Sequence, residues 1–227
     1  MRDEYYANMK DVWKWSVVAG LAIPPEANRS PYERILYVAM MRPDEGNGDG
    51  QFFDDFNGAN QVVADFFRHQ ERQAFGLQND HGIQRPLLRR VRRITRLGDI
   101  IRCPIAYVGA EYRENRANQY FTEQVLPWLS VRQLSLPIVV LIDPDTGISQ
   151  TNNPGDTQVA PAQIQVVWTA MRSRDVLVIY VQPDHNLGMG GEAARLGPML
   201  PPLLPSQVRQ EPFPFDNGGG LLVAVKP

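Results

Sequence analysis

Only one cysteine, Cys103, occurs in the 227 residues, so the chain can form no internal disulfide and can build neither a multi-cysteine metal site nor an iron–sulfur cluster. Histidine is nearly as scarce, with three copies at His69, His81 and His185. No apolar run approaches the roughly 18 residues that suggest a membrane span. The opening Met-Arg-Asp-Glu-Tyr-Tyr lacks the basic-then-apolar layout of a signal peptide. These absences predict a cytoplasmic protein with no membrane partner. No internal repeat recurs, and no Gly-x-Gly-x-x-Gly fingerprint follows an apolar run. A net charge of −2 argues against a uniformly basic nucleic-acid coat.

What is present fits one domain spanning 1–227. Apolar residues make up 43 % of the chain, enough for a sizeable core, and charged residues 21 %. The positive charge is concentrated. Arg85, Arg89, Arg90, Arg92, Arg93, Arg96 and Arg102 share a stretch with a single acid, Asp99. Like charges one helical turn apart repel, so phosphate contact would relieve a cost that the free segment bears. Arg89, Arg92, Arg93 and Arg96 are therefore candidate DNA-backbone contacts; the alternative is a solvated helix face.

Apolar spacing predicts a helix from about Asn8 to Leu21, with Trp13, Val17 and Leu21 on one face, stopped by Pro24-Pro25. Further helices are expected over Ala59–Ala74, with Val62, Val63, Phe66 and Phe67 turned inward, around Leu87–Ile94, over Phe121–Leu134 with a bend near Pro127, and over Ala162–Arg172. Continuous apolar runs at 34–41, 105–109, 137–142 and 176–181 read as buried strands, and 221–225 as a last one beyond a proline-rich stretch, 198–214. Strands of this kind alternating with helices imply a parallel sheet covered on both faces. The expected fold is a three-layer α/β/α sandwich around a mainly parallel four-stranded sheet, with an extra C-terminal strand.

Ligands of such sheets bind beyond the carboxyl ends of the strands. Three polar loops fall there: Asp44–Gln51, Asp143–Gly147 and Gln182–Asn186. Their convergence is the physical reason to expect an enzyme. In the first loop Gly46, Gly48 and Gly50 would let the backbone approach a ligand, and Asp44 and Asp49 could orient a water or stabilise a cation; the plain alternative is a surface turn. Phe52 and Phe53 follow, either as a stacking platform for a base or as core residues at a helix entry. His185 directly follows a buried strand, whereas His69 and His81 read as solvated. Asp44, Asp143 and His185 have no metal-ligand spacing, so no metal is expected. Asp143-Pro-Asp-Thr-Gly147 resembles the Asp-Pro-Pro-Tyr loop of amino-group methyltransferases, without its second proline and its aromatic residue.

Taken in order, several segments resemble the uracil-DNA glycosylase superfamily, as a divergent member. They are the strand and loop from Val38 to Phe53, with Pro43, Asp44, Glu45, Gly46, Asp49 and Gly50; Arg113-Glu-Asn-Arg116; Thr122-Glu-Gln-Val-Leu-Pro-Trp-Leu129; and the loop at His185. The resemblance covers roughly Leu36 to Leu204. It implies a four-stranded parallel sheet and hydrolysis of the N-glycosidic bond of a base flipped out of double-stranded DNA. It assigns Asp44 to positioning water and stabilising the oxocarbenium-like sugar, and His185 to the departing base. Phe53 would stack the base, Asn47, Asp49 and Asn186 would read its edge, and Leu187 and Met189 would stand as wedge residues in the DNA. No cofactor is called for, and the protein is expected as a monomer.

The sequence departs from that family in lacking the asparagine that reads uracil and in carrying Asn186, not proline, after the histidine. Gly188, Gly190 and Gly191 also remove bulk beside His185. A roomier pocket and a modified base follow, in repair or in antiviral defence. Two alternatives stand beside this one. One is a Rossmann-like S-adenosylmethionine-dependent methyltransferase with Asp143–Gly147 holding the acceptor amino group, for which no suitable glycine-rich loop is found. The other is a non-catalytic DNA-binding relative.

Overall fold

The computed structural model describes residues 9–23, 30–41, 58–71, 91–131, 136–152, 157–182, 188–214 and 219–227. Strands β1 (Ile35–Val38), β2 (Ile105–Val108), β3 (Val139–Ile142) and β6 (Val176–Val181) pair in parallel, in the order β2-β1-β3-β6. β8 (Gly220–Val225) lies antiparallel against β6, and β7 (Arg209–Pro212) pairs antiparallel with β8, giving six strands in order β2-β1-β3-β6-β8-β7. A separate parallel pair joins β4 (Gly147–Ile148) to β5 (Gln158–Val159). The fold is thus α/β with a mixed, mostly parallel sheet, and the four expected parallel strands run in from its β2 edge.

Alternation along each strand divides the core in two. Ile35, Tyr37, Val139, Leu141, Val178, Tyr180 and Val223 face one side, with α1 (Met9–Ala22), α2 (Gln61–Asp65) and α3 (Thr95–Ile100). Leu36, Val38, Val140, Ile142, Ile179, Val181 and Leu222 face the other, with α4 (Ala117–Tyr120), α5 (Leu126–Ser130), α6 (Pro161–Ala170) and α7 (Gly188–Leu196). Both faces being covered explains why these strands are apolar throughout and do not alternate.

α1 buries Val12, Trp15, Val18, Ala19 and Ala22; the expected stripe of Trp13, Val17 and Leu21 flanks that face and is only partly buried. Its Ser16 hydroxyl donates to Val12 O (2.7 Å) and accepts from Asn60 N (3.0 Å). Asn60 in turn caps α2 by accepting from Val62 N and Val63 N. Val63, Phe66 and Phe67 are buried as expected, but Val62 is 41 % exposed. α2 continues as a π-helical turn, Phe66–Glu71. A second π-helical turn, Phe121–Val125, joins α4 to α5. Pro127 sits in the first turn of α5, where its missing N–H breaks the regular ladder.

β7 was not expected. Its residues Arg209-Gln-Glu-Pro212 are largely exposed, and it is an edge strand closed by a proline that has no N–H to donate. No helix among the described residues is long and apolar enough to cross a membrane.

Candidate active site at the carboxyl ends of the parallel strands

β1 leads to β2 on one side, while β3 lies on its other side, so the chain reverses its direction of travel across the sheet between β1 and β3. The crevice beyond such a switch point is where open α/β sheets hold ligands. Its walls are the strand ends. Past β1, Met40 is buried with φ 44°, a left-handed backbone that a methionine rarely adopts. Met41 then forms a parallel bridge with Glu111, and Tyr112 N donates to Met41 O (2.8 Å), so β1 and β2 stay together beyond their ends. Glu111 is exposed and pairs with Arg113 Nε at 2.7 Å. With Arg116, Gln119, Tyr120, Glu123 and Gln124 it lines an open depression of about 140 Å³. Tyr120 closes the base of that wall, its hydroxyl donating to Val108 O (3.4 Å), and burial raises its pKa.

Past β3 the backbone of Asp143 still follows the sheet, its N–H donating to Val38 O (2.9 Å). Its side chain does something the sequence did not announce. Asp143 Oδ2 accepts from Lys14 Nζ at 2.6 Å and from the Tyr37 hydroxyl at 2.7 Å, and Lys14 also reaches Asp11 Oδ1 at 2.9 Å. All three charged side chains are almost wholly buried. The Lys14 ammonium stands 5.2 Å from the centre of the Tyr180 ring. Burial alone would depress the lysine, but Asp11 and Asp143 outweigh it, and its pKa lies above the ordinary value. Burial, reinforced by the charge of Asp143, raises the Tyr37 phenol well above its ordinary value.

Beyond Asp143 the chain turns through Pro144, Asp145 and Thr146 into β4, where Gly147 takes φ 107° against Val181 and Gln182 at the end of β6. Thr146 N donates to Thr157 O (2.9 Å) and Ser149 N to Val159 O (2.9 Å). Arg195 of α7 ties the same turn down by donating to Ser149 O (2.6 Å). Asp145 is half-buried, and the exposed Thr146 donates through its hydroxyl to Thr157 O (3.3 Å) and Thr157 Oγ1 (3.0 Å), so this turn is also tied to the segment before β5.

The structure therefore brings the ends of β1, β3 and β6 together as expected, with Asp143 among them, but as an anchored interior group. Asp44, Asn47, Asp49, Phe53, Arg89, His185, Asn186 and Leu187 lie outside the described residues. Met189, expected as a wedge residue, is 9 % exposed on α7 and packs against the core. Arg92 and Arg96 are exposed, while Arg93 is half-buried, in the 3-10 turn Val91–Ile94 and the start of α3. Among the described residues no group of three or more His, Cys, Asp or Glu is arranged to hold a metal ion.

Sequence reasoning missed Asp11, Lys14 and Tyr37. A signal was available: Asp11, Lys14, Trp15, Val18 and Ala22 fall at helical spacing on one face, so the lysine interrupts an apolar stripe three residues after an acid.

The sequence matches no protein-family model and no curated protein. Among solved structures, a DUF574 family protein from Streptomyces avermitilis MA-4680, whose crystal structure was determined at 1.80 Å, aligns over 96 % of this chain and 82 % of its own. The two share 14 % identity with a TM-score of 0.36, a slight agreement of backbones.

Proposed function

We propose that this chain is a Rossmann-like S-adenosylmethionine-dependent methyltransferase acting on an amino group. The observation that carries the reading is the bridge between Met41 and Glu111 at the switch strand. In dinucleotide-binding sheets the turn after the first strand is glycine-rich, so that backbone can approach the ligand, and a carboxylate further along the chain takes the ribose hydroxyls. Here the sequence that follows Met41 alternates glycines at Gly46, Gly48 and Gly50, and Glu111 follows β2. In the sequence these glycines follow the switch strand β1, although they lie outside the described residues and their spacing is not that of the Gly-x-Gly-x-x-Gly fingerprint.

Helices on both faces make three layers, which this reading shares with a glycosylase. The sheet departs from that expectation at its far edge, where β7 adds one strand beyond the expected C-terminal strand β8.

The bound sulfonium would supply an electrophilic methyl group. An acceptor amine that took this methyl group would have to give up a proton. Asp145, half-buried in the turn after β3, would orient that amine and take its proton; the interior contacts of Asp143 leave it to anchor the turn. Calorimetric titration with adenosylmethionine tests the reading. Binding with Kd of about 1–100 μM is expected. An absence of heat at millimolar cofactor would remove it.

A second reading, a DNA glycosylase releasing a modified base from double-stranded DNA, rests on the parallel order β2-β1-β3-β6 and on the exposed Arg92 and Arg96. Its roles for Asp44 and His185 are open to an activity assay. Duplexes bearing normal, damaged and modified bases, treated with alkali after incubation, should break at abasic sites if the glycosylase reading holds.

A further inference from the structure

We propose that Lys14 and Tyr37 are positioning residues, which fix the turn from Asp143 to Gly147 as the rim of the ligand site. For the identity of the ligand this rests on the methyltransferase reading; the positioning itself does not.

Both donors meet on one oxygen, Asp143 Oδ2, from two different directions: Lys14 from α1, and Tyr37 from the neighbouring strand β1. The main chain of the same residue is held by Val38 O. Asp143 is therefore fixed by its backbone and by its side chain. Four residues later the chain is fixed again, by Gly147 against the end of β6 and by the pairing of β4 with β5. Between these two anchors Pro144 is buried, Asp145 half-buried and Thr146 exposed. The turn is a short span with both ends clamped, and its Thr146 hydroxyl is held by Thr157.

Charge is a costly way to hold a strand end. A buried ion pair often contributes no more stability than an apolar group of the same volume, because each ion is stripped of water. Asp11, Lys14 and Asp143 nevertheless stand together inside a cluster that includes Trp15, Tyr37, Leu141 and Tyr180. What the pair adds is direction: an ammonium and a phenol dictate where one carboxylate oxygen points, which apolar packing does not. The group so directed sits at the carboxyl end of β3, next to the switch strand, where a misplaced rim costs binding.

The test uses the full chain as Tyr37→Phe, which removes one donor and keeps the ring, and as the double variant Lys14→Met with Asp143→Asn, which leaves no ammonium behind and only Asp11 as a carboxylate that has lost it. Amide exchange at Thr146 and Ser149 reports the turn, and exchange at Leu222 and Val223 in β8 reports the rest of the sheet. In both variants the turn amides should exchange about tenfold faster while β8 is unchanged. Adenosylmethionine affinity should fall about tenfold, even where the double variant melts close to the wild type. A purely structural pair would move both sets of amides together, or neither, and would leave the affinity of the double variant intact; either result overturns the proposal. If the wild type binds no adenosylmethionine, the cofactor reading fails and exchange alone decides the positioning role.

Discussion

Gly147 approaches Val181 so closely that a Cβ on Gly147 would stand 3.2 Å from the Val181 Cα and equally close to the Gln182 nitrogen. This contact welds the turn after β3 to the end of β6, two segments 34 residues apart in the chain. Gly147 also has φ 107°, a region that side-chain-bearing residues rarely enter. Gly147→Ala should therefore destabilise the fold by about 1–3 kcal/mol, from backbone strain and from the displaced end of β6. Urea unfolding monitored by tryptophan fluorescence measures it. An alanine variant as stable as the wild type would mean that the turn relaxes freely and is no rigid part of the site.

A larger effect is expected where one ion of a buried pair is left alone. Lys14→Met strips Asp143 and Asp11 of their shared ammonium within an almost fully buried cluster. Leaving a buried charge unpartnered costs about 3–5 kcal/mol. The companion double variant, Lys14→Met with Asp143→Asn, should recover a large part of that loss, since one of the two carboxylates is then neutral. The pair of denaturation curves forms the test: equal losses in the single and double variants would show that the packing of the lysine stem, not its charge, accounts for the effect.

Lys14 and Tyr37 also set an alkaline limit. Both have folded pKa values above their ordinary 10.5 and 10.0. A group whose pKa is raised on folding contributes fully below its unfolded value, and that contribution is lost as pH rises through the folded value. Stability should thus hold level from about pH 7 to 9 and decline above about pH 10, as the unfolded chain sheds protons that the folded one keeps. Tyr37→Phe should shallow that decline. Stability that stays level to about pH 12 in the wild type would contradict the interior placement of these two groups.

Much of the frame was legible because its cause is local. Val139–Ile142 and Val176–Val181 are continuous apolar runs, and only a strand buried on both faces calls for that pattern. β7 was not legible, since an exposed edge strand of arginine, glutamine, glutamate and proline carries no periodic signal. The helical setting of Met189 was hidden for the opposite reason. Its neighbours Gly188, Gly190 and Gly191 suggest an open loop, yet α7 forms there. Residues later in that helix hold it: Glu192 pairs with Arg195, and Arg195 reaches across to Ser149. The candidate site was half visible. Its position followed from the alternation of strands and helices, but the partner of Asp143 lies 129 residues away on α1, beyond the reach of any sequence window.

The final expectation concerns the arginines beside β2. Gly98 of α3 packs against the start of β2, where an added Cβ would stand 2.9 Å from Ile105 N, and only residues 101–104 separate helix from strand. A connection that short sends α3 back along β2, so that its amino-terminal end points toward the carboxyl ends of the strands. At about 1.5–2 Å per residue, the segment from Gly98 back to Arg92 spans roughly 10 Å in that direction. Arg92 and Arg96 are exposed on the segment that packs on one face of the sheet, and Arg116, on the segment packed on the other face, opens onto the depression beside Glu111. A nucleic-acid substrate that crosses the β2 edge of the sheet would lay phosphates against both segments, whether it enters as a methyl acceptor or as a glycosylase duplex. Replacing Arg92, Arg96 and Arg116 by alanine should then weaken binding to duplexes of every sequence alike, and should lower the slope of log affinity against log salt by about 2–3, roughly one unit for each phosphate no longer neutralised. Fluorescence anisotropy with a labelled duplex between about 50 and 200 mM salt, a range over which about tenfold or larger changes are typical of such interactions, reads both quantities. An unchanged slope would make these arginines a solvated helix face and send the search for a substrate toward small amines.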